Sequence, residues 1–217
     1  MRINFLHGLD DDIREQALQD FWKENRNFIF LAVFVLFASF GATQYYKTHK
    51  AETIQQQAIA YYEAVQSQSA EEFSNLANEA TSGYKAMALF EVAKTQMAEG
   101  NLEAAAETFG QIRESNASVL LRELAAVQQA QVQLQTAPEV AEKQLIELIG
   151  NKSPYTLTAL ELLAISKQNS GDYAAAQSYY QELLAQGGLA ETMRDRVENR
   201  LAYLRGQGLV AAEGATN

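Results

Sequence analysis

Between Asn27 and Tyr46 the chain runs for twenty residues, NFIFLAVFVLFASFGATQYY, without one Lys, Arg, Asp or Glu. No other segment constrains the fold as strongly, because twenty helical residues cover about 30 Å, the hydrocarbon thickness of a bilayer. Ten of the thirteen residues from Phe28 to Phe40 are Phe, Ile, Leu or Val, and their summed insertion free energy is about −3 to −6 kcal/mol. That offsets Asn27, Ser39, Thr43 and Gln44, which lie toward the ends of the stretch. A core helix of a soluble domain carries one apolar face, whereas FIFLAVFVLFA is apolar on all sides. A cleaved signal peptide would use Ser39 and Gly41 as its small residues. Against it, the preceding region holds Asp10, Asp11 and Asp12, and the helical pattern runs on into YYKTHKAETIQQQ. The expectation is an uncleaved membrane helix over 27–46.

Basic residues near a span set its orientation, while acidic ones contribute little. Arg14, Lys23 and Arg26 precede the span and Lys47 and Lys50 follow it. This bias predicts a short cytoplasmic tail over 1–26 and places the rest of the chain on the other side of an inner (plasma) membrane. Within the tail, Leu9, Ile13, Ala17 and Phe21 recur at four-residue spacing. The pattern fits either an interfacial amphipathic helix anchored by Trp22 or a plain entry turn into the span.

Charge is partitioned between the parts. Residues 1–50 carry six basic and six acidic groups; residues 51–217 carry eleven basic and twenty-one acidic groups, which accounts for the whole net charge of −10. Phosphate neutralisation needs clustered Lys and Arg, so nucleic acid is excluded as a partner. Cysteine is absent and the two histidines are His7 and His49. The large domain therefore lacks the thiolate and imidazole that most catalytic and metal sites use. Asp-rich calcium loops, Gly-rich phosphate loops and nucleophile elbows are also missing. The expectation is no catalytic residue, no cofactor, no metal and no small-molecule substrate.

From Lys47 to Arg205 the sequence is rich in Ala, Gln, Glu and Leu, holds both prolines, and shows no strand alternation. It reads as all-α. Breakers divide it at Ser82-Gly83, Gly100-Asn101, Thr136 to Pro138, Gly150 to Pro154, Gly171-Asp172 and Gly187-Gly188. Ser69 with Glu72 and Thr136 with Glu139 have capping-box spacing, and Ser153-Pro154 reads as an N-cap followed by Pro at the first helical position. GNLEAAAETFGQI from Gly100 and GDYAAAQSYYQEL from Gly171 share a turn glycine, a polar cap, a small residue at Ala105 or Ala176 and an aromatic at Phe109 or Tyr180. Between them, TAPEVAEKQLIEL puts Ala141 and Leu145 in the same slots, giving a period of 36 and then 35. The preceding helices place Leu89, Val92 and Ala93, and then Leu160, Leu163 and Ala164, at matching positions. The middle unit departs from this pattern, with Gln128 and Gln129 in those slots and no turn glycine.

Spacing and the small-then-aromatic order resemble the tetratricopeptide repeat, a helical hairpin of nominal length 34. The expected fold is an α-solenoid of such hairpins over 47–205, behind a single N-terminal transmembrane helix. A first degenerate pair precedes it, from Lys47 to Ser67 and Glu71 to Ala80. Leu189 to Leu204 caps the far end, with Met193, Val197, Leu201 and Leu204 inward and Arg194, Arg196, Arg200 and Arg205 outward. Residues 206–217 hold few large apolar side chains and read as a disordered tail. In this register the face available to a partner holds Met87, Phe90, Lys94 and Met97 in the first clear unit, and Thr158, Glu161, Ile165 and Gln168 in the last. Methionine beside an aromatic suits loosely specific apolar binding, and packing against Tyr61, Tyr62 or the next helix is the competing role. Tyr180 fills a core slot, and Tyr179 reads as its surface neighbour. Gly41, Thr43 and Gln44 are the span residues suited to contact another membrane helix. If the helix continues without a hinge from the span toward Val65, the groove is held close to the membrane exit.

The order of segments, with HKAETIQQQAIAYYEAV after the span and GYKAMALFEVAKTQMAEGNLEAAAETF behind it, resembles a known family. These are bacterial inner-membrane proteins with a tetratricopeptide-like periplasmic domain that serve as ancillary subunits of the Sec translocon. The likeness is closest from His49 to Phe109. It implies a cytoplasmic N-terminus, a periplasmic domain, and association with Sec translocon subunits and with exported proteins or periplasmic chaperones. Two other readings stay open on the residues alone: a scaffold for a cell-division or cell-wall complex, and a carboxylate-only enzyme using glutamates such as Glu63, Glu91 or Glu161.

Overall fold

The computed structural model describes residues 4–210, and the side chains of these except 4–21, 24, 25, 29 and 82. Among the described residues it contains nine helices and no strand. The chain divides into two compact units, Met1–Gln56 and Gln57–Asn217. Helix α1 (Asn4–Ser67) belongs to both, and each part is described by itself. Leu9, Ile13, Ala17 and Phe21, on which the amphipathic-tail expectation rests, lie outside the described side chains.

In the first unit, the segment from Phe28 to Phe40 leaves its large apolar side chains uncovered; Phe28, Phe34, Leu36, Phe37 and Phe40 are 69–73% exposed. The apolar window is long enough and apolar enough to cross a membrane, and none of it is buried. Its hydroxyls are satisfied within the helix. Ser39 Oγ donates to the Val35 carbonyl and Thr43 Oγ1 to the Ser39 carbonyl, both at 2.7 Å. Such back-bonding removes the cost of carrying an unpaired hydroxyl into an apolar medium.

The second unit is built from the end of α1 and eight further helices: α2 (Ala70–Glu79), α3 (Ser82–Ala98), α4 (Leu102–Glu114), α5 (Val119–Thr136), α6 (Pro138–Gly150), α7 (Thr156–Asn169), α8 (Tyr173–Ala185) and α9 (Glu191–Gly206). From α2 onward each helix packs on the one before it, and α5 also meets α7. The pairs α3/α4, α5/α6 and α7/α8 are the three repeat units. The small residue of each second helix, Ala105, Ala141 or Ala176, is wholly buried, as are Leu145 and Tyr180 four residues on, while Phe109 is 2% exposed. Burial at the same slot in all three units is what lets neighbouring helices approach closely. The apolar interior falls into three successive clusters, around Phe109, around Leu145 and around Tyr180. This is the layout of a solenoid, in which each repeat covers its neighbours' apolar faces.

The turns follow left-handed caps. Gly100 has φ of 80°, with the Asn101 amide donating to the Gln96 carbonyl at 2.8 Å and the Gly100 amide to that of Met97 at 3.0 Å. This is the Schellman arrangement, which favours glycine at the αL position. The middle unit reaches the same geometry without glycine. Lys152 takes φ of 54°, and the Ser153 amide reaches the Leu148 carbonyl at 3.1 Å.

Several local expectations need correction. Ser69 does cap α2, accepting from the Glu72 amide at 3.2 Å, but the Glu72 carboxylate accepts from Ser67 Oγ instead of closing the box. Thr136 is the last residue of α5, and Ala137 precedes α6, because Pro138 supplies the helix start without a side-chain cap. Ser153 Oγ accepts from the Tyr155 amide within a turn, and α7 begins three residues later, at Thr156. Ser82 and Gly83 lie in the first turn of α3 rather than between helices. Tyr179 is half-buried between the second and third clusters, so it is a packing residue and not a surface one. The chain is ordered past Arg205. Gly208, at φ of 68°, caps α9, and Val210 packs on the third cluster; the rest of the expected tail, 211–217, lies outside the described residues.

Candidate functional site

The partner-facing slots of α3 divide between core and surface. Phe90 is half-buried, its ring 5.8 Å from that of Phe109 at an interplanar angle of 56°. Both rings belong with the first cluster, as does half-buried Met97. Met87 is half-buried as well. Lys94 projects outward with its side chain 65% exposed, 2.6 Å from the Glu91 carboxylate. Phe90 and Met97 therefore serve packing and lining at once, and Lys94 is the one of the four that reaches solvent freely.

Tyr61 and Tyr84 extend this neighbourhood. Their rings lie 6.1 Å apart, and the Tyr61 ring meets that of Phe73 edge-on at 5.9 Å. Burial, with the Glu91 carboxylate as a second cause, holds the Tyr61 hydroxyl above its ordinary titration range. Tyr62, on the other side of α1, is 64% exposed and does not reach the cluster.

The equivalent slots of α7 are largely taken up within the protein. Glu161 is buried and accepts a two-pronged bond from Arg196 on α9, at 2.6 Å to Nε and 2.9 Å to Nη2. Arg196 was expected to face outward; a buried carboxylate needs a partner, and α9 packs where it can supply one. Gln168 Oε1 accepts from the Tyr180 hydroxyl at 3.0 Å. Ile165 remains half-exposed and lines a cleft of about 390 Å³ with Leu134, Pro138, Glu142 and Lys167. The candidate residues thus do not form one continuous site. Met87, Phe90, Lys94 and Met97 share α3, whereas Ile165 belongs to a separate recess between α6 and α7.

That recess contains a network that no local spacing in the sequence announces. Glu142 on α6 accepts from Ser166 Oγ at 2.8 Å and from Lys167 Nζ at 2.5 Å, both on α7. Burial works to raise the Glu142 carboxyl, but the bonds from Lys167 and Ser166 outweigh it and hold the group below its usual range; the same bond holds Lys167 above its own. The partners are twenty-five residues apart in sequence. Only the packing of one hairpin on the next brings them together.

The middle unit explains its own departure from the repeat. Gln129, in a slot that holds Ala93 and Ala164 in the other units, is buried, donates to the Ala106 carbonyl at 3.0 Å and accepts from Gln144 Nε2 at 3.2 Å. Gln144 also donates to the Ala126 carbonyl at 2.8 Å. The amides are satisfied, so a polar pair occupies what is elsewhere an apolar layer.

In the first unit, Gly41, Thr43 and Gln44 are all exposed. A Cβ built on Gly41 meets nothing within 4 Å, and the Thr43 hydroxyl is already committed to the Ser39 carbonyl. Of the glutamates of the enzymatic reading, Glu91 and Glu161 are each held by a basic partner, and Glu63 is exposed on α1. Among the described residues no three His, Asp or Glu side chains converge as metal ligands.

Comparison with known proteins agrees with this geometry. Residues 19–149 match the model of a family described as a tetratricopeptide repeat-like domain. The matched span runs from the first unit through α6, and the pair α7/α8 beyond it repeats the same buried slots. No curated protein matches the chain, and no solved structure does. Repeats of this kind are protein-interaction modules, and since the match covers more than half of its residues, the chain belongs to the tetratricopeptide repeat-like family.

Proposed function

We propose that this protein is a membrane-anchored adaptor of the bacterial inner membrane, with its N-terminus in the cytoplasm and its repeat domain in the periplasm. It works as an ancillary subunit of the Sec translocon and contacts newly exported proteins or periplasmic chaperones. Its role is recognition rather than catalysis. The observation that carries this reading is the joining, in one chain, of an uncharged helix with no covered apolar side chain to a tetratricopeptide-like domain. Water is a poor environment for the nine large apolar side chains from Phe28 to Phe40 that are 43–73% exposed; at about 25 cal/mol per Å² they favour a hydrocarbon medium strongly. Three basic residues before the span against two after it support the orientation. The repeat face, with Met87 and Met97 flanking Phe90 and Lys94, supplies a surface for apolar segments of a partner.

Photo-crosslinking amino acids at Tyr46 and Phe90 in living cells test this directly. Translocon subunits or exported proteins are the expected adducts. Recovery of cell-division or wall-synthesis proteins instead would replace the reading with that of a scaffold for those complexes. Because the chain contains no cysteine, Asn101→Cys adds a single reporter in an exposed turn. A membrane-impermeant maleimide should label it once the outer membrane is opened, and labelling only after lysis of the inner membrane would reverse the topology.

A further inference from the structure

A cleft of about 360 Å³ opens where α4 ends, α5 begins and α6 ends, lined by Val119 and Leu148 on its apolar walls and by Arg113, Arg122, Glu123 and Glu147. Its size and mixed lining are those of a small-ligand or peptide-end pocket. One of its cations is left unsatisfied. The Nε of Arg122 is buried with no hydrogen-bond partner, and among the described residues Arg122 forms no ion pair. Arg113 is only loosely engaged, 3.4 Å from an exposed Glu114 carboxylate. A guanidinium partly withdrawn from water without an acceptor is costly, and a planar carboxylate matches its fork of donors. We propose that this cleft binds the C-terminal carboxylate of a partner peptide whose last residue is apolar.

The charges around Arg122 restrict the ligand further. Glu123 is occupied, accepting from Ser153 Oγ at 2.8 Å, but Glu147 is exposed at the rim and the chain as a whole carries −10. A single carboxylate therefore fits beside Arg122, while an acidic tail with several charges meets repulsion. Val119, 57% exposed, and Leu148 then cover the terminal side chain. The cleft is separate from the α3 slots, so this inference rests on the reading of the domain as a protein-interaction module but not on the use of Phe90.

The test uses the full chain in detergent micelles and two acetylated alanine tetrapeptides ending in leucine, one with a free carboxylate and one amidated, followed by ligand-observed NMR titration. The free acid should bind at least about ten-fold more tightly than the amide, the range expected for a charge-assisted bidentate contact. Arg122→Ala should abolish that difference and Arg122→Lys should keep part of it, with circular dichroism confirming the fold of each. Replacing the penultimate alanines by glutamates should weaken binding. Equal affinity for acid and amide, no binding of either, or full preference for the acid in a folded Arg122→Ala chain would each overturn the proposal. Crosslinking at Phe90 that survives in the Arg122→Ala chain would leave the adaptor reading standing while this one fails.

Discussion

Gly110 and Gln129 face each other between α4 and α5 so closely that a Cβ on the glycine would lie 2.9 Å from the glutamine Nε2. The missing side chain makes room for the amide that bonds the Ala106 carbonyl. Gly110→Ala sets two effects against each other. Helix propensity favours alanine by about 1 kcal/mol, whereas displacing a buried amide from its bonds costs about 1–3 kcal/mol. The bonds should win, with a net loss of about 1 kcal/mol in chemical denaturation. In a Gln129→Ala background the same substitution should stabilise by about 1 kcal/mol, and a loss there would show that the glycine serves something other than the amide.

The bridge between Glu142 and Lys167 predicts a pH window. The Glu142 carboxyl is held below its ordinary value, so its contribution is complete above the unfolded carboxylate range of about 4.3 and is lost as pH falls through the folded value. Lys167 is held above its own, so its contribution is complete below about 10.4 and is lost as pH rises further. Glu142→Gln should cost about 1–3 kcal/mol at pH 7. The gap from the native chain should narrow toward pH 3; a gap of constant size across acid titration would rule out the bridge as its cause.

Arg196 ties α9 to α7 through Glu161, whose side chain is 11% exposed against 47% for the arginine. Solvent screens the half-exposed cation, so the pair is worth less than a fully buried one. Arg196→Ala should cost about 1–2 kcal/mol, largely through the carboxylate left without a partner. Adding Glu161→Gln should recover part of the loss, and strict additivity in the double mutant would mean the two do not interact.

Phe90 and Lys94 should separate packing from recognition. Phe90→Ala removes a ring that leans on Phe109 and should destabilise by about 2–3 kcal/mol, less than a fully buried phenylalanine. Lys94→Glu gives up an exposed pair with Glu91 and should change stability by less than about 0.5 kcal/mol. Its effect should instead appear in partner capture by a crosslinker at Met87. Unchanged capture would place the recognition surface elsewhere.

The repeat was legible because its signal is local. Ala105, Ala141 and Ala176 mark the positions where one helix crosses another, and a bulkier residue at any of them would separate the pair; the period follows from that constraint. The same holds for Gly100 and Gly171, which take φ of 80° and 83° and so are strongly favoured by the backbone itself. Lys152 shows the limit of the rule, since a left-handed cap on a non-glycine residue leaves no mark in composition. Helix starts were misplaced at Thr136 and Ser153 for a related reason: each has a residue pattern suited to capping, but whether its side chain caps, turns or remains in the preceding helix depends on where the neighbouring helix lies.

The candidate site was only partly legible. Helical spacing put Met87, Phe90, Lys94 and Met97 on one face of α3, yet burial of Phe90 beside Phe109 depends on α4, not on α3. The bonds of Glu142 to Lys167, of Glu161 to Arg196 and of Gln129 to Gln144 join residues fifteen to thirty-five positions apart. The unpartnered Nε of Arg122 is likewise visible only once α4, α5 and α6 enclose it.

By itself the sequence determined the uncharged apolar helix, the all-helical hairpins and their period of about 35, because each rests on backbone geometry and on solvation of neighbouring side chains. Tertiary structure alone decided which charges pair, which amides replace apolar layers and where a cation lacks a partner. Those outcomes depend on distances between hairpins, and a few tenths of an ångström decide whether a buried polar atom is satisfied or not.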